Sequence, residues 1–469
     1  MLNLRNIGRV FKGCVPLIRP IHISPCVQDD EPLSENVKEL LTSDSEYNKL
    51  VDHFCHIKTA HRCLVIQPYV KWGPSKLSIS PEEQLSEAVA LIQTLPSWSV
   101  EETLRVPLDS LDRKSLFKSG SMEKIRNMVL KRNDISAIFI NSGTLKKATV
   151  EILQENFQRP VLDKYKIVMQ ILKEHATSKH AKLQVALAEL YYIQRKSEKE
   201  LYFKTYSSEA LRLMFQSREK KIKEEIKQLR NQRNLLRKRR QKMDYPIIAV
   251  VGYTNSGKTS IIKVLTGEKS LQPKNQLFAT LDVTVHEGDL PSGLNVLYVD
   301  TVGFISDIPA NLVECFVATL EDALLADVII HVEDISSESY DYKRKHVLDT
   351  LERLEKQSEG KDILSKVIPV GNKCDLLKEK HFDQDLLLVS AQKGIGLDEL
   401  KQQLEDFVLF VTGRKKITIR IPTGGEEIRW LYKNATVLNE IPDQEDLQFI
   451  FAKVIITQSS LQKFKSYFI

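Results

Sequence analysis

The stretch that decides the fold is Gly252-Tyr253-Thr254-Asn255-Ser256-Gly257-Lys258-Thr259. It fits the pattern G-x-x-x-x-G-K-[ST] of a phosphate-binding loop. The apolar run before it, Pro246 to Val251, predicts a buried strand, and the run after it, Ser260 to Thr266, predicts the first turns of a helix. A glycine-rich turn between a strand and a helix surrounds an anion with backbone N–H groups and the positive end of the helix dipole.

The loop and the next predicted strand supply residues for phosphate and magnesium binding. Lys258 is placed to reach the outer phosphates of a nucleotide, and Thr259 to ligate Mg²⁺. Leu294 to Thr301 predicts a second buried strand, which contains Asp300 at its end. An Asp at this position can hold Mg²⁺ through water, and Gly303 can offer its backbone N–H to a γ-phosphate.

A third motif predicts which base is bound. Lys366 to Val370 predicts a strand that leads into Asn372-Lys373-Cys374-Asp375. Asp375 can accept hydrogen bonds from the N1–H and 2-amino groups of guanine, and adenine lacks both donors, so the motif discriminates between the two bases. Leu386 to Val389 then leads into Ser390-Ala391, where a backbone N–H can contact the guanine carbonyl. The motifs occur in the expected order, each after a strand, and predict GTP as the ligand.

Length and composition bound the remaining possibilities. A chain of 469 residues is too long for one core and predicts three or four domains. No run of 18 apolar residues is present, so no membrane span is expected. The six cysteines show no C-x-x-C pair, which favours reduced thiols in an interior compartment.

Five potential metal ligands lie close together near the N-terminal end, at His53, Cys55, His56, His61 and Cys63. Their spacing matches no standard zinc pattern. Cys63 also begins an apolar run that predicts a core strand. A metal site here is therefore the less favoured of two interpretations.

The first 28 residues have the composition of a targeting segment. They contain Arg5, Arg9, Lys12 and Arg19 and no acidic residue, and apolar residues alternate with the cations. An amphipathic segment with arginine and without acidic residues is typical of a mitochondrial transit peptide. The sequence therefore predicts location in the mitochondrial matrix, with an untargeted tail as the alternative.

The rest of the chain divides into four regions. Residues 45–177 predict an α/β unit, with strands at Arg62 to Gln67 and Ile135 to Ile140. A helical hairpin at 178–243 and the nucleotide domain at 244–412 follow, and residues 413–469 predict a small α+β domain. The expected fold class is α/β: a phosphate-loop GTPase domain preceded by an α/β N-terminal domain and a long helical hairpin, and followed by a small α+β C-terminal domain.

The predicted hairpin is polar and strongly basic. Apolar residues recur every seven positions in its second helix, as in a coiled coil, at Phe215, Ile222, Leu229 and Leu236. From Arg218 to Lys242 the chain carries twelve Lys or Arg and three Glu, a net charge of +9. Adjacent like charges such as Arg237-Lys238-Arg239-Arg240 repel one another unless a polyanion binds them, so we favour RNA phosphates over a solvated surface.

Three segments resemble the HflX-type family of ribosome-associated GTPases. They are Leu277-Phe278-Ala279-Thr280-Leu281-Asp282, the stretch Asp300-Thr301-Val302-Gly303-Phe304-Ile305, and the hairpin segment that begins Lys182-Leu183-Gln184. With the N-terminal segment, the chain is similar to the mitochondrial HflX-like GTP-binding proteins of eukaryotes. The resemblance covers about residues 45–469 and implies that Thr280 is the switch threonine that ligates Mg²⁺ in the GTP state.

The same resemblance implies a function and partners. A member of this family hydrolyses GTP and binds the large ribosomal subunit and its rRNA, here in the mitochondrion, and acts in ribosome splitting and recycling, rescue or late subunit assembly. The alternative is a GTP-regulated RNA-binding assembly factor without splitting activity. A monomer is expected.

The residues expected to act on the nucleotide combine these observations. The expected catalytic residues are Lys258, Thr280 and Gly303, and the expected metal ligands are Thr259, Thr280 and Asp300. The expected nucleotide contacts are Gly252, Tyr253, Thr254, Asn255, Ser256, Gly257, Lys258, Thr259, Ser260, Asp300, Gly303, Asn372, Lys373, Asp375, Ser390 and Ala391. Mg²⁺ is the expected cofactor.

Three features of the sequence affect the expected hydrolysis and the expected ribosome contact. Phe304 follows Gly303 where Ras-like GTPases keep a water-positioning glutamine, so slow intrinsic hydrolysis is expected. Asn255 occupies a loop position used by GTPases that bind K⁺ in place of an arginine finger, and a role limited to loop hydrogen bonds is the alternative. The predicted hairpin tip, Gln194 to Ser208, contains no glycine, whereas bacterial members of the family carry a glycine-rich loop there.

Overall fold

The computed structural model describes residues 45–54, 60–73, 79–110, 116–197, 208–242, 245–306, 325–357, 362–377 and 386–469. The predicted transit peptide (1–28) lies outside the described residues, as does most of the predicted hairpin tip. The backbone of 233–242 is described, but the side chains of its basic cluster are not.

The described strands form three sheets, each belonging to one region of the chain. The strands are β1 (Arg62–Val70), β2 (Ser99–Leu108), β3 (Ala137–Ile140), β4 (Val161–Asp163), β5 (Ile247–Gly252), β6 (Thr284–Asp289), β7 (Asn295–Asp300), β8 (Val328–Asp334), β9 (Val367–Asn372), β10 (Leu387–Leu388), β11 (Arg414–Pro422), β12 (Thr436–Pro442) and β13 (Phe449–Thr457). The helices that pack on them are α1 (Ser45–Phe54), α2 (Pro81–Thr94), α3 (Ser119–Lys131), α4 (Lys147–Phe157), α5 (Lys164–His175), α6 (Lys179–Ser197), α7 (Ser208–Lys242), α8 (Lys258–Thr266), α9 (Tyr340–Gln357), α10 (Leu397–Val411), α11 (Glu426–Asn434) and α12 (Gln458–Phe468).

The N-terminal sheet is parallel, with strand order β2-β1-β3-β4. Its central strands are apolar at consecutive positions because helices cover both faces. Leu64 and Ile66 face one core cluster, and Cys63 and Val65 face another. Cys63 is fully buried, and burial raises the pKa of its thiol to about 12, which disfavours the thiolate that a metal would require. Within the described residues, no group of three or more His, Cys, Asp and Glu is placed to hold a metal ion, and Cys55 and His56 of the candidate cluster lie outside those residues.

Helices α6 and α7 pack against each other within 178–243. Leu183 and Leu190 of α6 and Phe215, Ile222 and Leu229 of α7 are buried in the core that these helices share with the N-terminal sheet. The 35 residues of α7 make a helix about 50 Å long.

The nucleotide domain contains a six-stranded sheet in the order β10-β9-β8-β5-β7-β6. All of its pairs are parallel except β6 with β7. Parallel strands place their carboxyl ends at one edge, where ligands of such sheets bind. Gly252, Asp300 and Asn372 end three of these strands, so the sheet gathers the three predicted motifs.

The C-terminal sheet is antiparallel, in the order β11-β13-β12, with α11 and α12 on one face. Its core contains Leu431, Ala452, Val454 and Phe464. The predicted fold class, α/β with a phosphate-loop domain and flanking units, is confirmed. Among the described helices, none is long and apolar enough to cross a membrane.

Candidate GTP-binding site

The phosphate loop joins β5 to α8 through backbone conformations that glycine favours. Gly257 adopts φ +96°, and a Cβ there would lie 2.2 Å from Nδ2 of Asn372. A Cβ on Gly252, at φ +156°, would lie 2.3 Å from the carbonyl oxygen of Val332. Both glycines are therefore required by left-handed backbone and by close packing. Asn255, at φ +60°, is a residue type that tolerates this region.

Lys258 lies at the first position of α8 with its side chain folded back over the loop. Its Nζ donates to the carbonyl oxygens of Tyr253 at 3.0 Å and Gly252 at 3.3 Å. The side chain is buried, and this burial lowers the pKa of Lys258 to about 8, although nearby Asp300 opposes the shift. The lysine is thus held at the loop by two backbone carbonyls and with little contact to solvent.

The three predicted metal ligands come together at the carboxyl end of β7. Thr259 Oγ1 donates to Asp300 Oδ2 at 2.7 Å, and Thr280 Oγ1 donates to the same oxygen at 3.1 Å. The two hydroxyl oxygens are 3.2 Å apart. Asp300 is buried, which raises the pKa of its carboxyl group, and among the described residues its Oδ1 has no hydrogen-bond partner. Two hydroxyls and a buried carboxylate with a spare oxygen fit a hard cation such as Mg²⁺.

Gly303 touches the phosphate loop from the other side. A Cβ at this position would lie 2.8 Å from Thr254 and 2.9 Å from Nζ of Lys258. Two backbone hydrogen bonds hold Gly303 close to the loop: Phe304 N donates to the Gly252 carbonyl at 3.1 Å, and Thr254 N donates to the Phe304 carbonyl at 2.7 Å. The Phe304 side chain is buried among apolar residues, so it cannot orient water. Ser256 and Ser260 complete the loop and the first turn of α8.

The base-binding motifs follow β9 and β10. Asn372 connects them to the phosphate loop, because its Nδ2 donates to the Ser256 carbonyl at 2.9 Å and its Oδ1 accepts from Ala391 N at 3.1 Å. Ser390 Oγ donates to Asp375 Oδ1 at 2.5 Å. The structure therefore brings the predicted base-reading carboxylate next to the Ser390-Ala391 turn.

Two predicted contacts are occupied by protein partners. Lys373 Nζ donates to the Asn255 carbonyl at 2.9 Å and to Asp334 Oδ2 at 2.7 Å. The Asn255 side chain donates through Nδ2 to Asn275 Oδ1 at 2.8 Å, within the segment that leads to Thr280. Lys373 thus braces the loop from the base side, and Asn255 braces it from the segment before Thr280.

Tyr253 was predicted as a nucleotide contact, but its side chain points to the N-terminal region instead. Its hydroxyl donates to Glu87 Oε2 at 2.8 Å and accepts from Ser306 N at 2.9 Å. Glu87 also pairs with the buried Lys164 at 2.8 Å. Burial raises the pKa of Tyr253 well above its ordinary value, so the phenol stays protonated as a donor. Only the Tyr253 backbone faces the loop interior, where its carbonyl accepts from Lys258.

A second connection to the N-terminal region flanks Thr280. Asp282 accepts from Thr177 Oγ1 at 3.0 Å, from Ser178 N at 3.2 Å and from Ser178 Oγ. On the other side of Thr280, His175 Nδ1 donates to the Phe278 carbonyl at 2.8 Å. Phe278 is buried at φ +53°, a conformation that is unfavourable for a bulky residue. The segment around Thr280 is therefore fastened to the junction of α5 and α6.

Sequence reasoning missed both of these connections. Glu87 and Tyr253 are 166 positions apart, and Thr177 and Asp282 are 105 apart. The available signal was indirect: Asp282 belongs to the quoted segment 277–282, and polar Ser178 precedes the predicted hairpin.

Two family profiles match this chain, one in the nucleotide domain and one in the N-terminal region. A family profile described as 50S ribosome-binding GTPase matches residues 247–373, and one described as GTP-binding GTPase N-terminal matches 82–172. The Putative GTP-binding protein 6 of Xenopus laevis is 38% identical over 430 residues, covering 88% of this chain and 80% of that protein. The GTPase HflX of Caldanaerobacter subterraneus is 32% identical over 344 residues, covering 69% of this chain and 77% of that protein.

The chain belongs to the HflX family of GTP-binding proteins. Among solved structures, it is similar to a GTP-binding protein from Sulfolobus solfataricus in complex with GDP, at 22% identity and a TM-score of 0.40, covering 75% of this chain and 99% of that one. The predicted resemblance to HflX-type proteins is confirmed by the sequence relatives.

Membership in the HflX family fits the geometry of the site. HflX proteins are GTP-binding proteins with a phosphate-loop domain, and GTPases of this class generally use Mg²⁺ with GTP. The individual roles assigned to residues of the site stay predictions, as do the domain boundaries at 45, 178, 244 and 413.

Proposed function

We propose that this HflX-family protein hydrolyses GTP to GDP and phosphate as a switch on the large subunit of the mitochondrial ribosome. The observation that carries the proposal is the convergence of Thr259, Thr280 and Asp300 beside Gly303 and Lys258. These residues come from the phosphate loop, the segment before β6 and the end of β7. A site assembled from these segments can differ between GTP and GDP, because only GTP has a γ-phosphate for them to contact.

Each residue has a proposed task in the reaction. Lys258 neutralises charge on the outer phosphates, and the Gly303 N–H binds the γ-phosphate. Thr259, Thr280 and Asp300 would hold Mg²⁺, which when bound neutralises charge on the phosphate oxygens. Phe304 supplies no hydrogen bond to the attacking water, so the intrinsic rate is slow and a partner accelerates it.

Two supports point to the ribosome as that partner. The matching family profile is described as 50S ribosome-binding GTPase. The sequence of helix α7 adds a strongly basic segment, with a net charge of +9 from Arg218 to Lys242. Such a charge suits a polyphosphate backbone, so we infer that α7 contacts rRNA.

The N-terminal composition supports a proposal for the cellular location. Residues 1–28 are arginine-containing and free of acidic residues, and we propose that they direct the protein to the mitochondrial matrix. A reporter fused behind these residues should be imported, and a reporter that stays cytosolic would contradict this step. Splitting and recycling, rescue and late assembly all remain within the proposal.

The alternative is an assembly factor that binds RNA under GTP control without splitting ribosomes. The absence of glycine from Gln194 to Ser208 favours it, because the corresponding loop of bacterial relatives is glycine-rich. Sucrose gradients of mitochondrial ribosomes separate the two functions. Added protein with GTP converts monosomes to subunits if it splits them, and leaves the monosome peak unchanged if it acts only in assembly.

Co-sedimentation with isolated large subunits tests the switch itself. The full chain should pellet with large subunits when loaded with a non-hydrolysable GTP analogue and remain in the supernatant with GDP. Neutralising Arg237, Lys238, Arg239 and Arg240 to Gln should weaken binding and flatten its dependence on salt. Equal pelleting with both nucleotides would contradict a switch, and an unchanged salt slope would contradict the RNA contact.

A monovalent cation is proposed as part of the same site. Asn255 donates to Asn275 through its amide nitrogen, which leaves the amide oxygen as the atom able to coordinate K⁺. K⁺ beside the phosphates would stabilise the charge that develops during transfer, as an arginine finger does elsewhere. Single-turnover hydrolysis should be faster in K⁺ than in Na⁺ at equal ionic strength, and equal rates would exclude this role.

A further inference from the structure

The carboxylate of Asp282 lies at the N-terminal end of helix α6, the first helix of the hairpin. The backbone N–H of Ser178 donates to it at 3.2 Å, and the hydroxyls of Thr177 and Ser178 donate to it as well. The Ser178 hydroxyl also accepts from Ala181 N at 3.0 Å, which makes Ser178 the N-cap of α6. Because that hydroxyl gives its single proton to Asp282, its lone pairs stay directed at the helix.

This arrangement adds a negative charge at the positive end of a 19-residue helix. An acidic group there stabilises the first turn, where backbone N–H groups have no partner within the helix. The stabilising charge comes from the nucleotide domain and not from the hairpin itself. The order of the first turn of α6 therefore depends on where residue 282 stands.

Thr280, the proposed magnesium ligand, is two residues from Asp282. Two residues of extended chain span at most about 7 Å, so Thr280 cannot move far without moving Asp282. The same segment is anchored before Thr280 by the bond from His175 to the Phe278 carbonyl. Both anchors reach residues 175–178, which join the N-terminal sheet to the hairpin.

We propose that Asp282 is a positioning residue that transmits the nucleotide state of Thr280 to the first turn of helix α6. The proposal rests on the proposed GTP switch and names the contact through which that switch reaches the hairpin. With the GTP complex, Thr280 is held at the metal site and Asp282 accepts from Thr177 and Ser178 at the start of α6. With GDP, Thr280 is released and these bonds from Asp282 are lost. By linkage, a partner that fixes the hairpin in its capped position also tightens GTP binding.

Hydrogen exchange of the full-length protein tests this directly. The amides of residues 178–182 should exchange at least about tenfold more slowly with a GTP analogue and Mg²⁺ than with GDP and Mg²⁺. Asp282→Ala should reduce that difference to less than about twofold, and Thr177→Val, which removes one donor from an exposed site, should reduce it by an intermediate amount. The matched control is Glu287→Ala, which removes an exposed carboxylate five residues along the same segment.

Nucleotide affinity gives a second test. If Asp282 had only a structural role, its loss would not change the ratio of GTP-analogue affinity to GDP affinity. Asp282→Ala should weaken binding of the GTP analogue by about tenfold and leave GDP affinity unchanged, because only the GTP state uses the contact between Asp282 and the start of α6. An equal loss for both nucleotides, or nucleotide-dependent protection that survives Asp282→Ala, would overturn the proposal. So would the same loss of protection in Glu287→Ala.

The outcomes also separate this inference from the proposed function. If the wild-type protein binds the GTP analogue but shows no nucleotide-dependent protection at 178–182, the coupling is wrong and the GTP switch stands on its other contacts. If the protein binds neither nucleotide, both the switch and the coupling fail. Fluorescent GTP and GDP analogues measure that binding with the same preparation.

Discussion

The phosphate side and the base side of the GTP site differ in what lies behind them. On the base side, the described side-chain hydrogen bonds of Asn372, Lys373, Asp375 and Ser390 all end within the nucleotide domain. On the phosphate side, Tyr253 bonds to Glu87, and Asp282 bonds to Ser178, both in the preceding regions. The described side-chain bonds of Tyr253 and Asp282 thus reach the preceding regions, and those of the four base-side residues do not.

This difference suggests a division of tasks. The base is identical in GTP and GDP, so base contacts can select guanine but cannot report the nucleotide state. The γ-phosphate is present only in GTP, so residues that contact it can transmit its loss. Substitutions on the two sides should therefore have different consequences.

The largest effect is expected from Lys258→Ala on the phosphate side. Removing the buried cation that faces the outer phosphates should weaken GTP and GDP binding by about 1,000-fold. Isothermal titration measures the loss. Lys263→Ala, on the same helix and one turn and a half farther on, is the matched control and should keep ordinary affinity; wild-type affinity in Lys258→Ala would contradict the assigned site.

The base side should respond to Asp375→Asn with a change of selectivity. Loss of the carboxylate removes the acceptor for two guanine donors, so GTP affinity should fall by about 100-fold while xanthosine triphosphate gains. The protection of residues 178–182 with saturating nucleotide should stay as in the wild type. A variant that keeps its preference for GTP would refute the base-reading role. Altered protection of residues 178–182 would contradict the claim that only the phosphate side is coupled to them.

Nucleotide affinity should also depend on pH through Lys258. In the free protein burial lowers the pKa of Lys258 to about 8, whereas phosphates stabilise its charged form. Below that pH the lysine is already protonated and affinity is flat. Above it, binding must take up a proton, so affinity should fall by up to about tenfold for each pH unit.

The matched variant for this pH dependence is Lys258→Arg, whose guanidinium stays charged. The fall above pH 8 should disappear in this variant even if its overall affinity is lower. A wild-type affinity that stays constant from pH 7 to pH 9.5 would show that the lysine is fully charged in the free protein.

The smallest expected effect concerns the connection behind the phosphate loop. Tyr253→Phe removes the hydroxyl that links Glu87 to Ser306 and should lower the thermal midpoint by about 2–4 °C. Tyr298→Phe is the matched control, because among the described residues the buried Tyr298 hydroxyl has no partner to lose. Equal shifts in the two variants would show that the Tyr253 bond contributes nothing specific.

The sequence was most informative for residues that directly follow strands of the parallel sheet. The phosphate loop, the Asp at the end of β7 and the motif after β9 each follow a strand, and parallel pairing brings strand ends together without further information. Glu87 and Asp282 could not be predicted in this way. Their partners are set by how the N-terminal region packs on the nucleotide domain, and no periodicity along the chain encodes that packing.

The side chain of Tyr253 shows the same limit inside a motif. Its position in the phosphate loop predicted a nucleotide contact, yet the loop pattern constrains only the backbone at that residue. The tertiary environment, with Glu87 on one side and Ser306 on the other, determines where the ring points.

The length of helix α6 determines how far a small movement at Ser178 displaces the other end of the helix. The helix has 19 residues and is about 28 Å long, so a tilt of about 5° at its base displaces its far end by about 2.5 Å. A shift of one side-chain contact at the nucleotide site would thus become a larger displacement at the far end of α6. The length of α6 would then set the size of this displacement. A variant with α6 shortened by whole turns should still bind GTP, and the far end of its helix should move less on hydrolysis.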